Sequence, residues 1–371
     1  MITIKNASQL LWWAGLLICL GHDSAAALKV SEDKDTVRAV SPYLDLTVSL
    51  NHPAFLSLAV DSLGLGKGGT NALQASARSP ASFQTRRPGG NGLTVEYRRP
   101  GTAASARPGW RFEVASQSVR LISHWSEAEK PEPVVFEFDP RRCHVTLLGN
   151  VNSDGSIQLP AVLHLPDQGS FRIRAVDAAG AVLRYDARRA GVGYVKVTFP
   201  PATKAQPRME YHWEVAAIYP KIASLERDPR FNGFRRNWLN IFQLNPRLRV
   251  LANHSASDTC AFCLYEYADI ARYTPPLAEN LTALDLVRQS LDRYLAGLAG
   301  YGLPGNQMFD APPGPPSKDP AYLDSYPSLL IAAADYVAGA NDKAWLEKHY
   351  AGLLGWANKL LAMDQIGRAH V

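Results

Sequence analysis

The chain has 371 residues, 46% hydrophobic, 20% charged and 9% aromatic, with a formal net charge of +5. That composition excludes a disordered tail and supplies ample apolar surface for large cores. The basic doublets Arg86-Arg87, Arg98-Arg99, Arg141-Arg142 and Arg188-Arg189 are scattered and not interleaved with aromatics, so they read as solvated charge and not as a nucleic-acid surface.

At the start, Lys5 precedes the apolar run LLWWAGLLICLG and the small residues Ser24 to Ala27. This order is that of a secretory signal peptide, expected over residues 1–27, with the remainder exported to the periplasm or outside the cell. The run is too short against the roughly 20 residues of a bilayer-spanning helix, so no membrane span is expected. Ile18 ahead of Cys19 argues against a lipid-attachment site. Three cysteines remain beyond that segment, Cys143, Cys260 and Cys263, too few for a disulfide framework.

Residues 28–223 carry short alternating runs, such as WRFEVASQSVRLIS, VVFEFDP, SIQLPAVLHL, SFRIRAV and YVKVTFP, separated by Gly, Pro and Asn-Asp turns. Period-two alternation between turn signals predicts an antiparallel β-sandwich. Residues 66–108 are rich in Gly, Pro and Arg and read mostly as long loop. Gly64, Gly66 and Gly69 imitate a dinucleotide fingerprint, but Pro80 and Pro88 follow where a helix and a ribose-binding acid belong, and Lys67 lacks the Ser or Thr of a phosphate loop. A Gly-rich loop is the expectation there.

Beyond residue 223 the pattern becomes helical. Phe234, Trp238, Ile241 and Phe242 share helical spacing, with Asn245-Pro246 as a stop. Two later segments are amphipathic: Leu284, Val287, Leu291, Leu295 and Leu298 on one face, and Leu346, Tyr350, Leu353, Ala357 and Leu360 on another. By contrast, TCAFCLYEYADIA and YPSLLIAAADYVA are apolar nearly all round and are expected to be buried over most of their circumference. Alternation of the two kinds predicts concentric outer and inner layers linked as hairpins.

On the residues LANHSASDTCAFCLYEYADIA and YLDSYPSLLIAAADYVAGANDKAWLEKHYAGLLGWANKLLAMD, the region 224–364 resembles the six-hairpin glycosidase superfamily, the (α/α)6 toroids of glucoamylase-like and debranching-type glycoside hydrolases. The second stretch is the more specific, with an Asp opening a small-residue helix, then Asn341-Asp342, a Trp and an outer helix. The predicted fold class is therefore multidomain β + α, an N-terminal antiparallel β-sandwich followed by the first part of an (α/α)6 toroid. The resemblance implies an exported hydrolase of oligo- or polysaccharide that needs no cofactor and inverts, with an acid and a base roughly 6.5–9.5 Å apart. A polysaccharide lyase on a similar toroid and a non-catalytic carbohydrate-binding protein are the alternatives.

In such toroids, by resemblance, sugar binds at the N-termini of the inner helices. Asp258 and Asp324 stand there as candidate acceptors for sugar hydroxyls, although Ser255 to Asp258 and Asp324-Ser325 also fit helix-capping signals. The long stretch GYGLPGNQMFDAPPGPPSKDPAYLD adds Asp310 as an acceptor and Tyr301, Phe309 and Tyr322 as flat apolar faces, unless it is simply a Pro-rich surface loop. His254 completes the candidate set, with a satisfied turn residue as its plainer role. Cys260 and Cys263 in the first turns of a helix point to buried packing ahead of a local disulfide or redox or zinc chemistry, because three thiols and one nearby His make a poor tetrahedral set. No metal and no cofactor are expected, and the partner is a carbohydrate. The ending QIGRAHV is what the sequencing adapter CAGATCGGAAGAGCACACGTC encodes in frame, so residues 365–371 read as an artefact. On that reading the chain is a C-terminally truncated fragment that holds five of twelve toroid helices and has its acid and base beyond the end.

Overall fold

A computed structural model of the protein describes residues 28–66, 84–86, 92–103, 105–138, 145–176, 178, 180–187, 195–246, 248–252, 263–301 and 325–369. Residues 1–27, where a signal peptide is expected, and Cys143 and Cys260 lie outside these residues. The β-rich part comes first. Strands β1 (Lys29–Glu32), β2 (Thr36–Val40), β3 (Leu44–Ser49) and β4 (Phe55–Val60) form an antiparallel meander. Next along the chain are β5 (Gln84–Arg86), β6 (Leu93–Arg98), β7 (Trp110–Val114), β8 (Ser118–His124), β9 (Val134–Phe138), β10 (Thr146–Leu148) and β11 (Ser156–Gln158). The set closes with β12 (Ala161–Leu165), β13 (Gly169–Val176), β14 (Val182–Ala187), β15 (Val195–Phe199) and β16 (Arg208–Ala216). Eight strands form a sheet in the order β10-β12-β13-β16-β8-β7-β6-β5, and four form another in the order β11-β14-β15-β9.

Alternation explains the layers. On β7, Trp110, Phe112 and Val114 are buried while Arg111 and Glu113 turn outward. Phe55 of the first sheet lies 5.1 Å from Phe112 of the eight-stranded sheet and 5.3 Å from Phe136 of the other four-stranded sheet. Phe136 and Phe199 lie 4.8 and 4.9 Å from Trp213 of β16. Both small sheets therefore face the large one across a single aromatic core, with edge and tilted ring contacts of the favourable kind. On the outer face of the large sheet, Glu96, Glu113 and Glu210 alternate with Arg98, Arg111, Arg120 and Arg208 in a chain of ion pairs.

Residues 93–98 are a strand and not loop: Leu93, Val95 and Tyr97 point inward, and the Tyr97 hydroxyl donates to Ser49 O at 2.6 Å. The Gly- and Pro-rich flanks hid this alternation. Gly64 and Gly66 both have φ of +67°, as a turn requires. A side chain at Gly64 would meet the Tyr43 ring, in keeping with a turn there.

After β16 come two short helices, α1 (Ala223–Glu226) and α2 (Asn232–Asn237), and a 3₁₀ turn over Trp238–Ile241. The tighter turn rotates the stripe expected here, so Leu239 and Phe242 are buried while Phe234 is 40% exposed. Nor is the chain wholly helical afterwards, since β17 (Gln243–Asn245) and β18 (Val250–Ala252) form a hairpin. Then follow α3 (Leu264–Tyr273), α4 (Ala283–Tyr301), α5 (Ser325–Ala340) and α6 (Lys343–Ala369).

Candidate functional site

The four helices form two hairpins in register with each other. Tyr265 N donates to Ser328 Oγ at 3.2 Å near the start of α3 and α5, and Arg272 Nη1 donates to Asp335 Oδ1 at 2.7 Å near their ends. The separation in sequence is 63 residues in both cases, so α3 and α5 run parallel with their first turns side by side. Between α4 and α6, Arg288 lies 3.5 Å from Asp342, and Trp345 Nε1 donates to Asp292 Oδ1 at 2.7 Å, which makes this pair parallel too. Gly339, near the end of α5, sits against Leu284 at the start of α4, and a Cβ there would meet Leu284 Cδ1 at 3.1 Å. Hence α4 runs against α5.

Local chemistry explains these hairpins. Thr282 and Asp285 make a capping box at the start of α4: Asp285 N donates to Thr282 Oγ1 at 3.2 Å and Thr282 N donates to Asp285 Oδ2 at 2.7 Å. Between α5 and α6, Asn341 adopts a φ of +52° and Asp342 accepts from Trp345 N at 3.0 Å and from the Tyr336 hydroxyl at 2.7 Å. The Tyr336 hydroxyl and the Trp345 amide hold the Asp342 carboxyl below its ordinary range, and burial raises the Tyr336 phenol. The Asn-Asp…Trp motif is thus a turn and cap. His349 lies 3.4 Å from Asp292, whose Oδ1 already accepts the hydrogen bond from Trp345 Nε1. Burial lowers the His349 pKa, which keeps the imidazole neutral at neutral pH.

Burial follows the stripe expected on α4 but not the enclosure expected of α3 and α5. Ala283, Leu286, Val287, Ser290, Leu291, Tyr294 and Leu295 are buried on one half of α4, while Arg288 and Ala296 on the other half are exposed. One side is held by the β-rich part: Ser290 Oγ accepts from Leu251 N at 2.9 Å, Gln289 Oε1 from Val151 N at 2.8 Å, and Leu248 O from Arg293 Nε at 3.0 Å. The apolar helices α3 and α5 keep an open side instead. Pro327, Ile331, Ala334 and Ala338 are exposed at spacings of one helix face, Ile331 to 47%. Leu329 on the other side of the helix is buried. Tyr350 of α6, expected to face the core, is 57% exposed, and the buried stripe is Trp345, Leu353 and Trp356.

The candidate site is this end of the α3–α5 pair. Tyr265 presents a partly exposed ring beside Glu266, to which its hydroxyl donates at 3.2 Å. An aromatic face next to a carboxylate suits a polyhydroxylated ring. In the sequence, a tyrosine followed by Glu266 within an otherwise mostly apolar segment is the signal that marks this face. The candidates His254, Asp258, Asp310 and Asp324 all lie outside the described residues, so the structure neither brings them together nor separates them. Cys263 stands just before α3 and is 6% exposed, so the helix begins later than expected, with Cys263 at its N-cap position.

No family model and no curated protein matches the chain. The site therefore stands on its geometry alone. Among the described residues no group of three or more His, Cys, Asp or Glu is placed to hold a metal ion. Among those residues, too, no helix is long and apolar enough to cross a membrane.

Proposed function

We propose that the chain belongs to an exported glycoside hydrolase of the (α/α)6 type, acting on oligo- or polysaccharide by inversion, and that sugar is bound where α3 and α5 begin. The observation that carries this reading is the parallel pairing of α3 and α5 within two antiparallel hairpins, with Tyr265 N fastened to Ser328 Oγ. Such pairing sets the starts of both helices at one end, and helix N-termini add N–H groups of positive polarity there. In the sequence, Asp258 and Asp324 precede α3 and α5. General acid and base are not assigned to residues of this chain, so the test is binding.

Asp324→Asn separates the two roles of that residue, because Asn caps a helix as well as Asp does but lacks the charge. Loss of a charged acceptor is worth roughly 1.5–3 kcal/mol, or about ten- to a hundredfold in Kd. The reading expects that loss in calorimetric titration with a neutral oligosaccharide, at an unchanged melting temperature. Unchanged affinity would leave Asp324 as a cap only.

A further inference from the structure

We propose that a second cavity, on the outer face of the four-stranded sheet β11-β14-β15-β9, is a non-catalytic binding site for a neutral sugar residue. The cavity has a volume of about 600 Å³, within the usual range for small-molecule sites. Its floor is a cross-strand patch. Val195, Val197 and Phe199 turn into the core, so Lys196 and Thr198 face the other way, with Glu137 and Asp186 the register partners of Lys196 and Val135 that of Thr198. Asp186, Lys196, Thr198 and Val135 line the cavity.

The walls are loops already fixed in place. Glu129 is 2% exposed and accepts from Arg99 N at 2.9 Å, Arg99 Nη2 donates to Lys130 O at 2.6 Å, and Trp110 Nε1 donates to Glu132 O at 2.9 Å. Pro53, Pro100, Pro131 and Pro133 stiffen the same walls, which lowers the ordering cost of binding. His52 closes one side. Its Nδ1 lies 3.1 Å from Ser49 Oγ, while its Nε2 is buried with no hydrogen-bond partner among the described residues.

Charge selects the ligand class. Arg99, Lys130 and Lys196 are offset by Glu129, Glu132 and Asp186, so the lining carries no net charge and favours neither a phosphate nor a cation. Donors and acceptors around a rigid, partly apolar wall suit a polyol. This inference rests on the hydrolase reading only for the choice of a glycan.

The test is calorimetric titration of the whole chain with maltotriose, cellotriose and laminaritriose, and with inorganic phosphate as the charged probe. One trisaccharide is expected to bind, phosphate is not, and Asp186→Asn and Thr198→Val should each raise Kd about tenfold without moving the melting temperature, since both side chains lie on an outer face. This binding should survive Asp324→Asn. Failure of all three trisaccharides to bind, tight phosphate binding, or affinity unmoved by both cavity variants overturns the proposal. Loss with Asp324→Asn alone overturns it while supporting the reading at the α3–α5 end.

Discussion

His164 on β12 ties acid stability to the junction between the sheets and the helices. It is fully buried; its Nε2 lies 2.9 Å from Asn240 Oδ1 and its Nδ1 3.0 Å from Ser170 Oγ. The amide oxygen accepts only, so Nε2 carries the proton and Nδ1 accepts from the serine hydroxyl. Asn240 in turn donates to Asn237 Oδ1 at 3.0 Å, and Asn237 donates to Asp167 Oδ1 at 2.6 Å, which fastens the segment around α2 to the turn after β12. Burial pushes the imidazole from 6.5 down to about 4. An unfolded chain therefore takes up the proton below about pH 6.5, and the folded protein only near pH 4. The neutral histidine's contribution is fully present above pH 6.5 and is lost as the pH falls toward 4. At 1.36 kcal/mol per unit the whole window holds about 3.4 kcal/mol, of which about 2.5 kcal/mol is lost by pH 4.5. Burial also lowers His52, His124, His212 and His349, so the informative quantity is a difference between proteins. Urea unfolding followed by tryptophan fluorescence at pH 7.5 and 4.5 should show an acid loss in the wild type about 2.5 kcal/mol larger than in His164→Gln. Equal losses in the two proteins would refute the reasoning.

Other consequences can be checked directly. Arg236 grips Asp61 bidentately at 2.9 and 3.0 Å with side chains 10% and 1% exposed, so Arg236→Ala should cost about 3–5 kcal/mol in denaturant unfolding, with Arg236→Met/Asp61→Asn less costly than the single change. In the native protein Cys263 should resist a thiol reagent and should label rapidly in urea, as residue-level mass spectrometry would report. Ile331→Lys should change stability by no more than about 0.5 kcal/mol while reducing self-association in sedimentation velocity, because that side chain is half exposed on an apolar face.

Local signals were legible in the sequence and non-local ones were not. Alternation on β7, β8, β9, β13 and β15 marks strands because each strand carries its own in-and-out pattern. Nothing local says that β13 pairs with β16 or that Phe55 and Phe136 meet across two different sheets. The Leu284 stripe predicted α4 and its buried face, yet the β17–β18 hairpin that this face packs against was not legible, because its three-residue strands leave little period to read. Composition misjudged α3 and α5 for a related reason: an apolar surface reads as buried whether or not a neighbour covers it. At the site, Tyr265 and Glu266 were visible as residues, but their exposure on one helix face emerged only from the packing of α3 on α5.

The central claim, sugar binding where α3 and α5 begin, is tested most directly by amide hydrogen exchange with and without a saturating neutral trisaccharide. Added protection is predicted in the first turns of α3 and α5, around Leu264 to Ala268 and Ser325 to Leu329, and its disappearance in Asp324→Asn. Binding that protects only strands β14 and β15, or that leaves both first turns unchanged, would contradict it.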